Sequence, residues 1–219
     1  MAEVDLREVE LYIEELFVRE DPVLQAALRD AREAGLPEIQ VSPLEARLLY
    51  FLTALSGAER VLEVGTLGGY SGIHFARALP PGGKLVTLEL EERHAAVARE
   101  SFRRAGLLGK VEVRVGDAKR AMREMARSGE EPFDLVFIDA EKEGYAEYLD
   151  LALALSKVGT LILADNAIQG GSVLRSEDGS GRAIREFNAK LAGHERLEGT
   201  ILPLLRERVD GLALARVVR

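Results

Sequence analysis

The amino-acid sequence predicts an α/β fold with a mostly parallel, seven-stranded sheet, helices on both of its faces and an antiparallel hairpin at the carboxyl end. Between residues 60 and 164, short apolar runs rich in Val, Leu and Ile alternate with segments of helical spacing, which is the pattern of repeated βαβ units. The first run ends in a glycine-rich turn, as is typical of open parallel sheets. Two later runs, at 197–202 and 212–218, have no helical segment between them and predict the hairpin.

Three helices are predicted before the first strand. Residues 5–18 carry apolar side chains at helical spacing, Pro22 opens a second helix that ends near Gly35, and Ser42-Pro43 begins a third that ends at Leu55. The apolar stripe of the first helix consists of Leu6, Val9, Ile13, Leu16 and Phe17. We expect one domain, 1–219, in which residues 1–56 cover the substrate site or make a subunit contact and residues 57–219 form the core.

A glycine turn follows the first strand. It contains Gly65, Gly68, Gly69 and Gly72, which allow the backbone to approach a ligand closely. Two residues separate Gly65 from Gly68, whereas the dinucleotide fingerprint has one, so a pyrophosphate is disfavoured. Glu89 ends the next strand, where a carboxylate can accept hydrogen bonds from ribose hydroxyls. The pattern favours an adenosine-containing ligand; the other interpretation is a plain βαβ turn with a solvated Glu89.

The remaining elements follow in regular order. Further strands are predicted at 84–88, 111–115, 134–138 and 159–164, and helices at 91–105, about 118–127 and 145–155. A Gly/Ser-rich loop at 169–181, a helix at about 182–192 and the hairpin, with its loop at Pro203 to Gly211, complete the chain. Ligand-binding side chains are therefore expected where the parallel strands end.

Composition narrows the class of protein. The chain has no cysteine and a net charge of −8, which excludes disulfides, a thiolate nucleophile and a cysteine zinc site and disfavours a broad phosphate-binding surface. The amino terminus is acidic where a signal peptide is basic, and no apolar run approaches the length of a membrane span. We expect a cytoplasmic protein that makes no membrane contact.

Oxygen-bearing side chains follow two of the predicted strands. Asp139 comes directly after strand 134–138, and Asp165 and Asn166 come directly after strand 159–164. Two carboxylates and an amide oxygen at one rim form a hard ligand set that suits Mg²⁺ or a similar cation. The alternative is that both aspartates cap the helices that follow them.

Lys142 lies three residues beyond Asp139. From there its side chain can reach back over a bound cation, and desolvation together with the cation would lower its pKa enough for a general base. Glu141 and Glu143 flank it, and such a run is also typical of a solvated face. Spacing alone leaves both interpretations open.

Several segments match one known family. They are Val61–Gly65 with Gly69–Ser71, Glu89, Gly116–Ala118, Asp134–Ala140 with Lys142 and Tyr145, Asp165-Asn166, Arg185–Asn188 and Asp210–Leu212. With these residues the chain resembles the cation-dependent O-methyltransferases that use S-adenosylmethionine, the group of catechol and caffeoyl-CoA O-methyltransferases, and especially their bacterial relatives. The resemblance extends from about Val41 to the carboxyl terminus and implies a Rossmann-like class I methyltransferase fold.

The resemblance also implies a role for each matching residue. It assigns Val41, Glu63, Gly65 and Ser71 to the methionine end of the cofactor, with Tyr70 also in the cofactor site, Glu89 to the ribose, and Asp117 and Ala118 to the adenine. Asp139, Asp165 and Asn166 would hold the divalent cation, Mg²⁺ or alternatively Mn²⁺ or Ca²⁺, and Asp139 would also border the cofactor. Lys142 would be the general base, and Asp139 would be the second catalytic residue.

The implied acceptor is a small hydroxylated aromatic molecule with two neighbouring oxygens, either catechol-like or caffeoyl-like. Bacterial relatives also include a methyltransferase of wobble hydroxyuridine, so tRNA is an alternative. Five arginines could contact its phosphates or simply belong to a solvated surface: Arg175, Arg182, Arg185, Arg206 and Arg208. Relatives are commonly dimers, and we expect a homodimer. The chain departs from the family pattern at Ile39, Glu141 and 204–208, so the acceptor is left open.

Other functions fit the sequence less well. Gly69–Gly72 resembles a nucleophile elbow, but the motif needs glycine where residue 73 is Ile. A dehydrogenase is disfavoured by the glycine spacing, and a non-catalytic nucleoside-binding module by the acidic set with Lys142. His74, His94 and His194 lack metal-ligand spacing and are expected to be structural or solvated.

Overall fold

Seven strands form a single sheet in a computed structural model that describes residues 5–19, 21–175, 179–204 and 209–219. The strands are β1 (Arg60–Val64), β2 (Lys84–Glu89), β3 (Val111–Val115), β4 (Phe133–Ile138), β5 (Ser156–Ala164), β6 (Leu197–Leu204) and β7 (Asp210–Val217). Their order is β3-β2-β1-β4-β5-β7-β6. The strands β1 to β5 are parallel, and β7 is antiparallel to both β5 and β6, so the predicted sheet and its terminal hairpin are confirmed.

Eight α-helices surround the sheet in the described part of the chain. They are α1 (Leu6–Phe17), α2 (Pro22–Glu33), α3 (Pro43–Ser56), α4 (Tyr70–Ala78), α5 (Glu92–Arg104), α6 (Ala118–Ser128), α7 (Tyr145–Ala154) and α8 (Gly179–Gly193). Side-chain oxygens of Asp5, Asp21, Ser42 and Asp117 accept backbone amide hydrogens at the starts of α1, α2, α3 and α6. The helices that precede β1 are thus confirmed.

Alternate residues of the central strands face two separate apolar clusters. Leu62 and Val136 pack with α6, α7 and α8 on one face, whereas Val61 and Leu135 pack with α3, α4 and α5 on the other. Strands buried on both faces read as continuous apolar runs, which explains why the sequence located them. The result is a sheet whose carboxyl edge is left open for a ligand.

Predicted boundaries are wrong at β5, at α8 and at the hairpin loop. β5 begins at Ser156, not at 159, because it contains a shift in register opposite Phe133 and a glycine, Gly159, at φ 98°. α8 begins at Gly179, inside the segment that was expected to be a loop to 181. The hairpin loop is shorter than the predicted Pro203 to Gly211, because residues 203–204 belong to β6 and pair with residues 210–211 of β7, and residues 205–208 lie outside the described residues.

The apolar stripe of α1 is only partly covered, since Leu6, Val9 and Ile13 are half-buried and the other two residues are exposed. Leu16 and Phe17 are 53% and 62% exposed, and of the residues of α1 only Glu10 is buried. α3, on which α1 packs, exposes Phe51 and Leu55 as well. Among the described residues, no helix combines the length and the apolar character that crossing a membrane requires.

Candidate active site

A cavity of about 610 Å³ lies where β1, β2 and β4 end. Of the residues that the sequence assigns to a site, it is lined by Val41, Gly65, Tyr70, Ser71, Glu89, Asp117, Ala118, Asp139, Lys142 and Asn166. α2 contributes Ala27, Leu28 and Ala31 to the opposite wall. Glu63 and Asp165 are both buried beneath the cavity. The fold therefore brings the predicted residues to one place.

The glycine turn packs tightly against the end of β4. Gly65 has φ 98°, and a Cβ atom on it would overlap the carbonyl oxygen of Asp139 and lie 3.0 Å from the carbonyl carbon. The amide of Asp139 donates to the carbonyl of Val64 at 2.8 Å. Glycine at this position thus sets the spacing between the turn and the acidic end of β4.

Glu63 does not form the cavity wall as expected, because it lies directly behind Ser71. Its carboxylate accepts hydrogen bonds from the hydroxyls of Ser71 and Thr87, each at 2.6 Å, and Thr87 Oγ1 lies 2.5 Å from Thr66 Oγ1. Burial raises the pKa of Glu63 to about 7, against the lowering effect of the two hydroxyl donors. Glu63 therefore fixes the rotamer of Ser71, and its part in cofactor binding stays a prediction.

Glu89 is held by the backbone at the end of β2. One carboxylate oxygen accepts the amides of Thr66 and Leu67 at 3.2 and 2.8 Å, and the other accepts the amide of Glu91 at 3.0 Å. His94 Nδ1 lies 3.4 Å from this second oxygen. The carboxylate is thus fixed at the cavity wall with acceptor capacity left for a ligand.

The acidic end of the cavity combines Asp139, Asp165 and Asn166. Asp165 is 3% exposed, and burial raises its pKa, with a further rise from the negative charge of Asp139. A divalent cation would favour the ionised form of both groups, and the hard oxygen set fits such an ion. Since the described residues contain no cluster of three or more His, Cys, Asp or Glu able to hold a metal, the amide oxygen of Asn166 would be needed to complete the set.

Lys142 reaches back to this acidic end from the turn after β4. Its ammonium group donates to Asp139 Oδ1 at 3.1 Å and to the Tyr145 hydroxyl at 2.7 Å. Tyr145 is fully buried and donates to the carbonyl of Ile138 at 3.2 Å. The side chain of Lys142 is therefore directed into the cavity, and the solvated-face interpretation does not describe it.

Comparison with known proteins agrees with this geometry. A model of the O-methyltransferase family matches residues 14–218. The chain belongs to this O-methyltransferase family. It is 45% identical over 212 residues to a catechol O-methyltransferase of Niastella koreensis, covering 95% of this chain and 96% of the relative.

Solved structures agree with the fold of this O-methyltransferase. An O-methyltransferase from Bacillus cereus in complex with SAH has a TM-score of 0.93 at 38% identity, covering 97% of this chain and 98% of its own. TomG from Streptomyces achromogenes, an O-methyltransferase of tomaymycin synthesis in complex with SAM, has a TM-score of 0.93 at 38% identity, with complete coverage of both chains. The expectation of a Rossmann-like methyltransferase fold is confirmed.

Two residues of the O-methyltransferase site were missed by sequence reasoning. His94, which was expected to be structural or solvated, lines the cavity beside Glu89. Glu141 also lines it and accepts hydrogen bonds from Tyr148, at 2.9 Å, and from Lys119, at 2.8 Å. His94 belongs to a segment whose charges looked solvated and that contains no motif of recognised spacing, whereas Glu141 lies between Asp139 and Lys142 and was noted only as part of a charged run and as a departure from the family pattern. Their positions depend on how α5, α6 and α7 pack around the cavity.

The other two histidines of the O-methyltransferase behave as expected. His74 is buried in α4 against Tyr70, with a ring separation of 5.3 Å, and burial lowers its pKa to about 4. His194 accepts the backbone amide of Arg196 at 3.1 Å. Neither lines the cavity, so both are structural.

Proposed function

We propose that this O-methyltransferase transfers the methyl group of S-adenosylmethionine to one hydroxyl of a small aromatic acceptor with two neighbouring oxygens, with the help of a divalent cation, most suitably Mg²⁺. The observation that carries the proposal is the continuous cavity, which joins Glu89, Asp117 and Ala118 at one end to Asp139, Lys142 and Asn166 at the other. Such a cavity places a nucleoside cofactor and an ion-bound acceptor side by side.

The cofactor would occupy the end nearest the glycine turn. Glu89 is held in place to accept the ribose hydroxyls, and Ser71, fixed by Glu63, faces the methionine end. Asp117 and Ala118 begin α6 and border the adenine end. The backbone already fixes these groups, so little ordering is needed when the cofactor binds.

Asp139, Asp165 and Asn166 would hold the cation, which when bound lowers the pKa of an acceptor hydroxyl and orients it. Lys142, in its neutral form, takes the hydroxyl proton on Nζ. The acceptor oxygen then bonds to the methyl carbon as the carbon–sulfur bond breaks, which leaves a neutral thioether. Tyr145 and Asp139 hold Lys142 for this step through their two contacts with its Nζ atom.

The walls of the cavity favour a small acceptor. Leu28, Ala31 and Ile39 form an apolar side suited to an aromatic ring. Among the described residues that line the cavity, Lys142 is the single Lys or Arg, which gives little support for a phosphate-bearing CoA ester or tRNA. Of the arginines considered for tRNA, Arg182 pairs with Glu186 at 3.5 Å, and Arg206 and Arg208 lie outside the described residues.

We also propose that the chain works as one domain and as a homodimer. The helices of residues 1–56 act as a cover, since α2 forms one wall of the cavity. The exposed apolar residues of α1 and α3, Tyr12, Leu16, Phe17, Phe51 and Leu55, would pack against a second copy.

The proposed function is tested by methyl transfer from labelled S-adenosylmethionine to catechol, with Mg²⁺ or with EDTA. We expect EDTA to abolish transfer and Lys142→Met to lower kcat by about 100-fold or more while affinity for S-adenosylhomocysteine is kept. Lys157→Met is the matched control, because Lys157 also pairs with an aspartate, Asp134, but at the opposite end of the sheet.

Three outcomes contradict the proposal in different parts. If EDTA does not affect methyl transfer, the reaction needs no divalent cation. If hypomodified tRNA is methylated but catechol and caffeoyl-CoA are not, the acceptor is tRNA and not a small aromatic molecule. Binding of S-adenosylhomocysteine without transfer to any of these acceptors favours a non-catalytic binding module.

A further inference from the structure

Asp210 makes a hydrogen bond to Asn166 across the terminal part of the sheet. Asn166 follows β5, and Asp210 opens the antiparallel neighbour β7. The side-chain nitrogen of Asn166 donates to Asp210 Oδ2 at 3.0 Å. The other carboxylate oxygen, Oδ1, accepts the backbone amides of Gln169 and Gly211 at 2.9 and 2.8 Å and that of Ile168 at 3.3 Å. The two oxygens of Asp210 thus have separate partners.

This arrangement decides which way the amide of Asn166 faces. An ionised carboxylate only accepts hydrogen bonds, so the group that meets Asp210 Oδ2 must be the NH₂ and not the oxygen. The amide oxygen of Asn166 is then directed away from Asp210, and Asn166 lines the cavity. Its backbone is at φ 57°, and the next amide, of Ala167, donates to the carbonyl of Gly211 at 2.8 Å, so the backbone beneath the amide is also fixed by β7.

We propose that Asp210 is a positioning residue, which holds the amide of Asn166 so that its oxygen, and not its NH₂, is presented to the divalent cation. The inference rests on the proposed function, because it assumes the cation. An amide that is free to rotate would present NH₂ to a cation part of the time, whereas a fixed amide presents an acceptor throughout. Residues that orient metal ligands in this way typically affect metal affinity by about 10- to 100-fold.

The substitution Asp210→Asn separates this role from support of the backbone. Three amide donors face the Oδ1 position, so the carbonyl oxygen of the new side chain is expected to stay there and keep those bonds. Its NH₂ then faces the NH₂ of Asn166, and two donors cannot bond to each other. The amide of Asn166 is expected to rotate by about half a turn and to present its NH₂ to the cation.

The experiment is a titration of the full chain with Mn²⁺, in which electron paramagnetic resonance measures the concentration of the free ion. We expect Asp210→Asn to weaken Mn²⁺ binding by about 10-fold or more, while affinity for S-adenosylhomocysteine, measured by calorimetry, changes less than about twofold. The double variant Asn166→Asp with Asp210→Asn should recover the affinity to within a few fold, because a carboxylate at 166 can accept from the new amide and still offer an oxygen to Mn²⁺.

Glu143→Gln is the matched control for charge. It also removes one carboxylate from this region, but Glu143 is exposed and lies in the turn after β4, not in the pair that orients Asn166. We expect it to bind Mn²⁺ like the wild-type protein, to within about twofold.

Four outcomes would contradict the role of Asp210, and one of them would also contradict the proposed cation. Equal Mn²⁺ binding by the wild type and Asp210→Asn, an equal loss in Glu143→Gln, or a folded double variant that does not recover would overturn the inference and leave the proposed function in place. A wild-type protein that binds no Mn²⁺ would overturn the cation part of the proposed function together with the inference.

Discussion

Gly65→Ala is expected to damage both the stability of the fold and the cavity. The new methyl group would overlap the carbonyl oxygen of Asp139, which is backbone and cannot rotate away. Relief of the overlap needs a displacement of the end of β4 on the order of 1 Å, a scale of misplacement that costs about 100-fold in rate when it reaches catalytic groups. The substitution also places an L-residue at φ 98°, which costs about 1–2 kcal/mol.

Overpacking adds about 1–3 kcal/mol to this cost. Since 1 kcal/mol lowers Tm by about 2–4 °C in a chain of this size, the loss for Gly65→Ala should be on the order of 10 °C. The matched control is Gly82→Ala, at φ 86° with no atom within 4 Å of the added Cβ. It has the same backbone strain without the overlap, so its Tm should fall by only about 4 °C.

Two assays are used. Circular dichroism monitors thermal unfolding, and calorimetry measures the binding of S-adenosylhomocysteine. Gly65→Ala should also lose cofactor affinity by about 10-fold or more, because Gly65 lines the cavity and its displacement moves the turn that is proposed to bind the cofactor. Gly82→Ala should bind normally. If the two variants have the same Tm and the same affinity, the turn is not packed against Asp139 as described.

Two further predictions concern stability at acid pH and assembly. Burial lowers the pKa of His74 to about 4, so His74 stays neutral in the folded chain between pH 6.5 and 4. In the unfolded chain it takes up a proton below about pH 6.5. Its contribution to the free energy of unfolding therefore falls by about 3 kcal/mol between pH 6.5 and 4. Urea unfolding of His74→Phe at pH 7 and pH 4.5 should show less acid destabilisation than the wild type; an equal loss in both proteins would contradict the lowered pKa. Sedimentation velocity at micromolar concentration should find a dimer that Phe17→Glu converts to a monomer, since the charge would be buried between copies; a monomeric wild type would contradict the proposed dimer.

The parallel part of the fold was predictable because β1, β2 and β4 are buried on both faces and read as apolar runs. The edge strand β3 instead alternates valine with charged residues. Together these patterns placed β1 to β4 within about a residue. β5 was harder, because the register shift opposite Phe133 and the left-handed Gly159 interrupt the run. The prediction began α8 too late, because Gly and Ser disfavour a helix locally. In the structure Gly181, Ile184 and Phe187 are buried, so tertiary packing prevails over helix propensity.

The same distinction applies to the site. Asp139 and Asn166 could be located because the ends of parallel strands meet at one edge. The hydrogen bond from Asn166 to Asp210 spans 44 residues and depends on the pairing of β7 with β5, which no local pattern encodes. Glu63 was assigned to the cavity from the family resemblance, but only the packing of Ser71 and Thr87 around it reveals that it lies one layer deeper.

The strand order separates, along the chain, the groups proposed for the donor from the groups proposed for the ion. The chain moves outward from β1 to β3, returns to the centre at β4, continues through β5 to the opposite edge at β6, and ends at β7 between β5 and β6. Groups proposed to bind the methyl donor come before residue 119, apart from Asp139, and the ion-binding groups with the residue that orients them begin at Asp139. The groups for the donor and the groups for the ion can therefore change separately along the gene, whereas the apolar wall proposed for the acceptor, formed by Leu28, Ala31 and Ile39, belongs to the first half.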